Sequence, residues 1–312
     1  MSSNELENKA QEIFSNQNSS SNDMKEFIEM ILKRQNQKIN IMVTGATGCG
    51  KSSTINALFG SEVAKVGVTP NPETMDIRQY ILPNLTIWDS PGLGDSKEKD
   101  IKHAKNIIEK LVQKDEKGDL LIDLVLVILD GGSRDLGTSY ELINKVIIPS
   151  LGDETNRLLV AINQCDMAMK GRGWNSEANK PEPELEKFLN EKAMSVKQRI
   201  EEATGVRIIE PVFYSAGYKD KEQEQKTYNM AKLLSYIIDH TPSQKRFAYT
   251  NNINRDKSVW GSNDDLKDYS KSMIEQIADS VVEVLTSNMP EPAKKLVKGG
   301  YNKLKTWLKE LF

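Results

Sequence analysis

Residues 39–59 read INIMVTGATGCGKSSTINALF, an apolar run, a glycine-rich turn and a helix-forming stretch in direct succession. Nothing else in the chain limits its fold as tightly. Gly45, Ala46, Thr47, Gly48, Cys49, Gly50, Lys51 and Ser52 fit G-x-x-x-x-G-K-[ST], leaving a predicted strand and opening a predicted helix. Such a loop wraps its backbone N–H groups around phosphate oxygens, and side chains at the glycine positions would block that approach. Lys51 then reaches the β- and γ-phosphates as a mobile cation, Ser52 offers its hydroxyl to Mg²⁺, and Ser53 belongs to the same nucleotide-binding stretch. The competing reading is a chance glycine turn before a helix, and the strand–loop–helix context argues against it.

Around this unit the pattern alternates. Apolar runs at 39–44, 76–82, 85–89, 121–129, 157–163 and 207–214 are predicted strands, and amphipathic stretches at 51–59, 100–113, 139–148, 184–203 and 229–239 are predicted helices. That is the signature of an α/β fold of the P-loop NTPase kind, a mostly parallel sheet with helices on both faces. In the helix from 184, Leu185, Leu189, Ala193, Val196, Ile200 and Ala203 form one stripe, with Gly205 as its stop. Three regions follow: an N-terminal helical segment 1–36 in which two short helical patterns, around 5–14 and 24–34, are separated by the flexible joint SNQNSSSND, a nucleotide-binding body 37–242, and a C-terminal helical region 243–312. The last comprises a polar connector 243–264, a helix 265–287 and a terminal amphipathic basic helix.

Among its 312 residues, 42 Lys+Arg face 45 Asp+Glu, a net charge of −3, so no sequence-specific nucleic-acid binding is expected. No run of about eighteen apolar residues could span a bilayer, and the start MSSNELENKAQ lacks a signal-peptide core. The cytosol is the expected compartment. Cys49 and Cys165 have no zinc or disulfide spacing. Residues 291–312 hold six Lys and two Glu beside Leu304, Trp307, Leu308, Leu311 and Phe312. That stripe either lies on a membrane surface as a peripheral anchor or packs against the protein's own helices, and Gly299-Gly300 favours the second.

The base-reading segment separates ATP from GTP. Asn163, Gln164, Cys165 and Asp166 follow the run RLLVAI at a strand's carboxyl end, where a ligand on such a sheet must lie. Asp166 can accept from N1–H and the exocyclic amine of guanine, a pair adenine does not offer. A helix cap is the alternative for N-x-x-D alone, and the phosphate loop tips the balance. In LTIWDSPG, Asp89 would hold Mg²⁺ through water and the Gly92 N–H would sense the γ-phosphate. Between 61 and 75 lie Thr69 and Thr74, of which Thr74 is preferred as the hydroxyl on Mg²⁺. Ser215 and Ala216 end the run IIEPVFY, where their backbone would meet guanine O6. His103 and His240 are expected to be ordinary packing or surface residues. Arg134 and Asp135 in GGSRDLG approach the nucleotide or a facing protomer, or form a solvated turn; Arg78 is a remote candidate for an arginine finger.

With these motifs in order, the sequence resembles the translation-factor-class GTPases of the Era/dynamin-like branch. GKSSTINALFG (50–60) looks like that branch's first helix, and ETMDIRQYILPNLTIWDSPGLGD (73–95) is similar to the switch region of immunity-related GTPases and bacterial ribosome-binding-type GTPases. The resemblance covers about 37–242 and makes that body a G domain. It implies Thr74 as the switch threonine, Asp89 as the Walker B-type aspartate, Asn163 as the tie between base and phosphate loops, and Ser215 and Ala216 as the fifth motif. Gln164 stands where the family usually has Lys, Leu93 where Ras-like proteins carry a water-orienting Gln, and Gly48 where potassium-activated relatives carry Asn. The implied activity is Mg²⁺-dependent hydrolysis of GTP to GDP by a nucleotide switch. Its alternatives are a self-assembling dynamin-like membrane GTPase and a GTP-binding scaffold with little turnover. Expected partners are guanine nucleotide, a second copy through the G domain, and a peripheral membrane or ribosome.

Overall fold

The computed structural model describes residues 37–60, 77–92, 96–219 and 224–286, with 294, 301, 302, 304–306, 308 and 309. In chain order the elements are β1 (Ile39–Gly45), α1 (Lys51–Phe59), β2 (Arg78–Ile81), β3 (Leu85–Asp89), α2 (Lys97–Val112) and β4 (Leu124–Asp130). Then come α3 (Gly137–Glu141), the π-helical turn Leu142–Ile147, α4 (Ile148–Leu151), β5 (Leu158–Asn163), α5 (Pro183–Thr204), β6 (Val212–Phe213) and α6 (Met230–His240). The main sheet has the order β2-β3-β1-β4-β5-β6. All neighbours are parallel except β2, which pairs antiparallel with β3.

The apolar runs are continuous because both sheet faces are covered. In β4, Leu124, Leu126 and Ile128 point into a core shared with α1 and α6. Val125, Val127 and Leu129 point the other way, against α2, the α3–α4 helix and α5. The period-two alternation of side chains thus feeds two cores from one strand.

Three local expectations shift for identifiable reasons. The predicted strand 207–214 contracts to Val212–Phe213, since Pro211 has no N–H to give a ladder. The predicted helix 139–148 is broken. Ile148 donates to Ile143 O across a widened turn, which accommodates Pro149, whose missing N–H cannot close a regular helical bond. In α5 the stripe Leu185, Leu189, Ala193, Val196 and Ile200 is buried as expected, but Ala203 is exposed because the helix has by then run past the sheet.

The expected polar connector after residue 242 is instead part of the core. A 3-10 helix Ser243–Asn251 and a short turn Lys257–Val259 lead to α7 (Tyr269–Thr286). Phe247, Tyr249, Ile253, Val259 and Trp260 are buried in the same cluster as β1, α1 and α6. Their irregular spacing matches neither a strand nor a helix, so periodicity misses them. Lys245 reaches Asp123 at 2.6 Å, and Asp123 also accepts from the Asn40 N–H at 2.9 Å, fastening this segment to the amino ends of the central strands β1 and β4. α7 starts later than expected because Asp265 takes φ 57, and Asp268 then caps the helix by accepting from the Lys271 N–H at 2.8 Å.

Leu304 and Leu308 are buried in that same cluster. Lys305 lies 4.0 Å from Glu275 of α7, and the Tyr301 hydroxyl donates to Asp279. These members of the basic terminal stripe therefore pack on the protein. Trp307, Leu311 and Phe312 lie outside the described residues, as do the two expected helices before residue 37. No helix among the described residues is long and apolar enough to cross a membrane.

Candidate functional site

The phosphate loop joins the carboxyl end of β1 to α1, and its glycines are required by the backbone. Gly48 and Gly50 have φ of 81° and 88°, a region costly for residues with a Cβ. A Cβ on Gly50 would also meet Asn163 Nδ2 at 2.2 Å. Lys51 folds back over the loop, its ammonium 3.2 Å from Gly45 O and 3.0 Å from Ala46 O. It thus sits over the space the loop encloses. Ser52 and Ser53 are exposed at the start of α1, as are Thr47 and Gly48, whereas Cys49 is buried. Burial pushes its thiol up, so Cys49 is a packing residue.

The base loop is bolted to this one. Asn163 Nδ2 donates to Cys49 O at 3.0 Å, and Asn163 Oδ1 accepts from the Ala216 N–H at 2.9 Å. One buried side chain therefore links three loops. Gln164, at φ 57, donates to Gly48 O at 2.9 Å, adding a second strut. Ser215 is buried and exchanges backbone hydrogen bonds with Tyr228 at 3.0 and 2.9 Å. Because the Ala216 N–H is committed to Asn163, its expected meeting with guanine O6 requires that bond to be exchanged.

Asp166 is the informative residue. Its Oδ1 is buried and has no hydrogen-bond partner. An ionised oxygen left without a partner costs more than a neutral one, so this atom asks for a donor from outside the protein. Asp89, at the end of β3, repeats the pattern. It is buried, Tyr80 donates to its Oδ2 at 3.4 Å, and Oδ1 has no partner. Burial raises its carboxyl above the usual range, while Lys51, Tyr80 and Arg78 pull it down. A hard cation is the partner such an oxygen suits. Among the described residues no three His, Cys, Asp or Glu side chains group to hold a metal by themselves. Arg78, at the start of β2, is exposed and pairs in register with Asp89 of β3.

Gly92 touches the phosphate loop. A Cβ there would lie 2.3 Å from Thr47 Oγ1 and 2.5 Å from Thr47 Cα, so only glycine lets this turn approach. Ser90 donates to Thr44 Oγ1 at 2.7 Å, holding the two loops side by side. Thr74 and Thr69 lie outside the described residues. His103 is buried on α2, and His240 Nδ1 is 2.7 Å from Tyr236 O. Arg134 and Asp135 are exposed; Asp135 Oδ1 accepts from the Gly137 N–H at 2.8 Å, the geometry of a solvated turn.

Sequence reasoning missed two supports. Thr54 accepts or donates at 2.7 Å to the buried Tyr214 hydroxyl, tying α1 to the turn that carries Ser215. The only signal was a polar residue on the buried face of α1. Gly131 donates to Asn163 O at 2.7 Å, and a Cβ on it would strike that oxygen at 2.6 Å. This explains the first glycine after β4.

A phosphate-cradling loop on parallel strands, tied by an asparagine to a loop bearing an orphaned carboxylate, defines a P-loop G domain of the GTP-binding class. Residues 40–164 match the family described as 50S ribosome-binding GTPase, the segment that carries the phosphate loop and Asn163 of the base-reading loop. The chain is similar to uncharacterized protein YfjP of Escherichia coli (strain K12), 31% identical over 154 residues, 47% of this chain and 50% of that one. It is also similar to interferon-gamma-inducible GTPase 10 of Mus musculus, 43% identical over 77 residues, 22% of this chain and 18% of that one. Among solved structures, Toc33 from Arabidopsis thaliana in complex with GDP and Mg²⁺ aligns at 19% identity and TM-score 0.46, covering 72% of this chain and 94% of that chain. The chain spans half or less of the length of these curated relatives.

Proposed function

We propose that this protein binds guanine nucleotide and hydrolyses GTP to GDP and phosphate as a nucleotide-dependent switch. The observation that carries the reading is the buried, unpartnered Asp166 Oδ1, on a loop that Asn163 ties to the phosphate loop. Guanine presents two adjacent donors to such a carboxylate. On binding, Lys51 exchanges the carbonyls of Gly45 and Ala46 for the β- and γ-phosphates, and the loop amides from Gly45 to Ser53 take the remaining phosphate oxygens. Ser52, Asp89 and Thr74 are the residues proposed to hold Mg²⁺, which when bound offsets charge on the phosphates. The Gly92 N–H meets the γ-phosphate, and its release after in-line attack of water frees the turn that Gly92 belongs to. Ser215 and Ala216 border the base.

The effector class is part of the proposal. Burial of Leu304 and Leu308 removes two members of the stripe a membrane would need, which supports a switch acting on a soluble partner such as a ribosome or a second G domain. Phosphate release from GTP is to be measured for wild type and Lys51→Ala alone, with ribosomes, and with anionic liposomes. Wild type should turn over slowly alone, faster with its partner, and Lys51→Ala not at all. ATP bound as tightly as GTP, or turnover intact in the variant, would overturn the reading.

A further inference from the structure

A cavity lies one loop behind the base-reading turn and is lined by none of the residues proposed to hold the guanine nucleotide. It is a cleft of about 660 Å³ between residues 131–137, which leave β4, the helix α5, and the turn 169–172. That volume is in the range of small-molecule sites. Its walls are fixed. The Lys192 ammonium donates to Gly131 O at 2.6 Å, Ser133 O at 2.8 Å and Asp130 O at 3.4 Å, pinning one wall to α5. The opposite wall contains two successive left-handed residues with a Cβ, Met169 at φ 52 and Lys170 at φ 62, an unfavourable conformation that persists where surrounding structure holds it.

The chemistry of the rim is lopsided. Arg134, Lys170, Arg172 and Arg199 line the cleft and are exposed, with Asp135 and Glu191 as the acids facing them. Asp135 is already engaged by the Gly137 N–H, and Lys192 by the loop carbonyls. Hydrogen bonds to backbone cancel none of these charges, and the lining cations Arg134, Lys170, Arg172, Lys192 and Arg199 outnumber Asp135 and Glu191; arginines are also the side chains best shaped to chelate phosphate. Beside them are flat apolar faces. Phe188 lines the cleft, and the Arg199 guanidinium lies 5.9 Å from the centre of the Tyr140 ring.

We propose that this cleft binds a small phosphorylated ligand carrying an aromatic ring, at a site separate from the guanine nucleotide. Phosphate falls to the arginine rim and the ring to Phe188 and Tyr140. Because Met169 and Lys170 continue the loop that carries Asp166, the ligand lies against the base-reading turn without entering it.

The test is calorimetric titration of the full chain, saturated with GDP, with 1-naphthyl phosphate as probe. Inorganic phosphate and 1-naphthol separate charge from ring. The probe should bind GDP-loaded wild type one to one and more tightly than either fragment. Arg134→Ala/Arg199→Ala should weaken it at least about tenfold, and Arg199→Lys, which keeps the charge but not the planar fork, should keep only part of the affinity. Both arginines are exposed, and an unchanged melting temperature confirms that the variants fold. No binding at millimolar probe, equal binding of 1-naphthol, or unchanged affinity in the double variant would overturn the proposal. The same titration without GDP keeps this result distinct from the guanine reading: probe binding that GDP abolishes places the probe in the nucleotide site and sinks the second one.

Discussion

Asp166→Asn tests the guanine assignment at the atom that carries it. The substitution replaces a carboxylate that accepts two hydrogen bonds with an amide that accepts one and donates one. Asp166 Oδ1 has no partner within the protein, so on that side the exchange breaks no internal bond and the loss falls on the ligand. Each charge-assisted bond contributes about 1.5–3 kcal/mol. The amide oxygen still accepts from N1–H, so the bond to the exocyclic amine is the one lost outright, and GDP affinity falls by at least about 1.5–3 kcal/mol, roughly one to two powers of ten. The same exchange suits xanthine, whose N1–H still donates and whose C2 carbonyl accepts from the new amide. Gln164 and its strut to Gly48 are untouched, so coverage of the base is common to both ligands and cancels in their ratio. Calorimetric titration of wild type and variant with GDP and with xanthosine diphosphate reads that ratio directly. A GDP affinity reduced by less than about tenfold, or no gain for xanthosine diphosphate, would refute the reasoning.

Three further outcomes follow from the same geometry. Burial raises the Asp89 carboxyl, against Lys51, Tyr80 and Arg78; a raised acid pKa means the folded state holds its proton more readily than the unfolded one, so stability is lost as pH rises from the usual carboxylate range through the folded value. Nucleotide-free Asp89→Asn should therefore melt above wild type at pH 7, with the gap shrinking towards pH 4, while its GTP turnover falls; a gap that widens on acidification would contradict this. Gly92→Ala drives a methyl to 2.3 Å from Thr47 Oγ1, and turnover should drop by about 10²-fold while GDP binding, which needs no γ-phosphate sensor, is nearly kept. Asn254→Ala removes side-chain donors from Ala57 O at 3.0 Å and Asn56 O at 3.5 Å at the end of α1. Urea unfolding should show a loss of about 1–3 kcal/mol, and Asn254→Asp, which cannot donate, should not restore it.

What was legible in the sequence was whatever local spacing dictates. GATGCGKS fixed strand, loop and helix together because the glycines answer to φ angles and close approaches within the loop itself. β4 was legible as a buried strand because a run with both faces apolar has few other fates. The carboxyl-terminal segment was not, because Phe247, Tyr249, Ile253 and Trp260 lie in irregular backbone with no period to detect. The Thr54–Tyr214 bond and the Lys245–Asp123 pair join residues far apart in the chain, and no local pattern announces either. At Ala216 the sequence offered the right neighbourhood, but its N–H goes to Asn163, a choice between two acceptors that only the assembled loops decide.

These distant bonds converge on α1. Its amino end forms the phosphate loop, its middle is held by Tyr214 from the guanine side, and its last carbonyls are occupied by Asn254, whose own N–H reaches Leu58 O at 2.9 Å. Asn254 is in turn fixed by Trp260, whose indole N–H donates to its carbonyl at 3.0 Å, and Trp260 is buried in the core that also takes up α7 and Leu308. A helix anchored at both ends cannot shift its phosphate-binding end without loading the other. This chain of contacts predicts that nucleotide affinity and carboxyl-terminal packing are coupled, and such a coupling is reciprocal. A partner that loosens α7 should weaken GDP binding by the factor that GDP strengthens the packing of α7. Hydrogen exchange of the Tyr269–Thr286 helix with and without GDP measures one side of that equality, and GDP affinity of Asn254→Ala measures the other. GDP that leaves α7 exchange unchanged would sever the two ends, and any effect of Asn254→Ala on GDP affinity would then be local to α1.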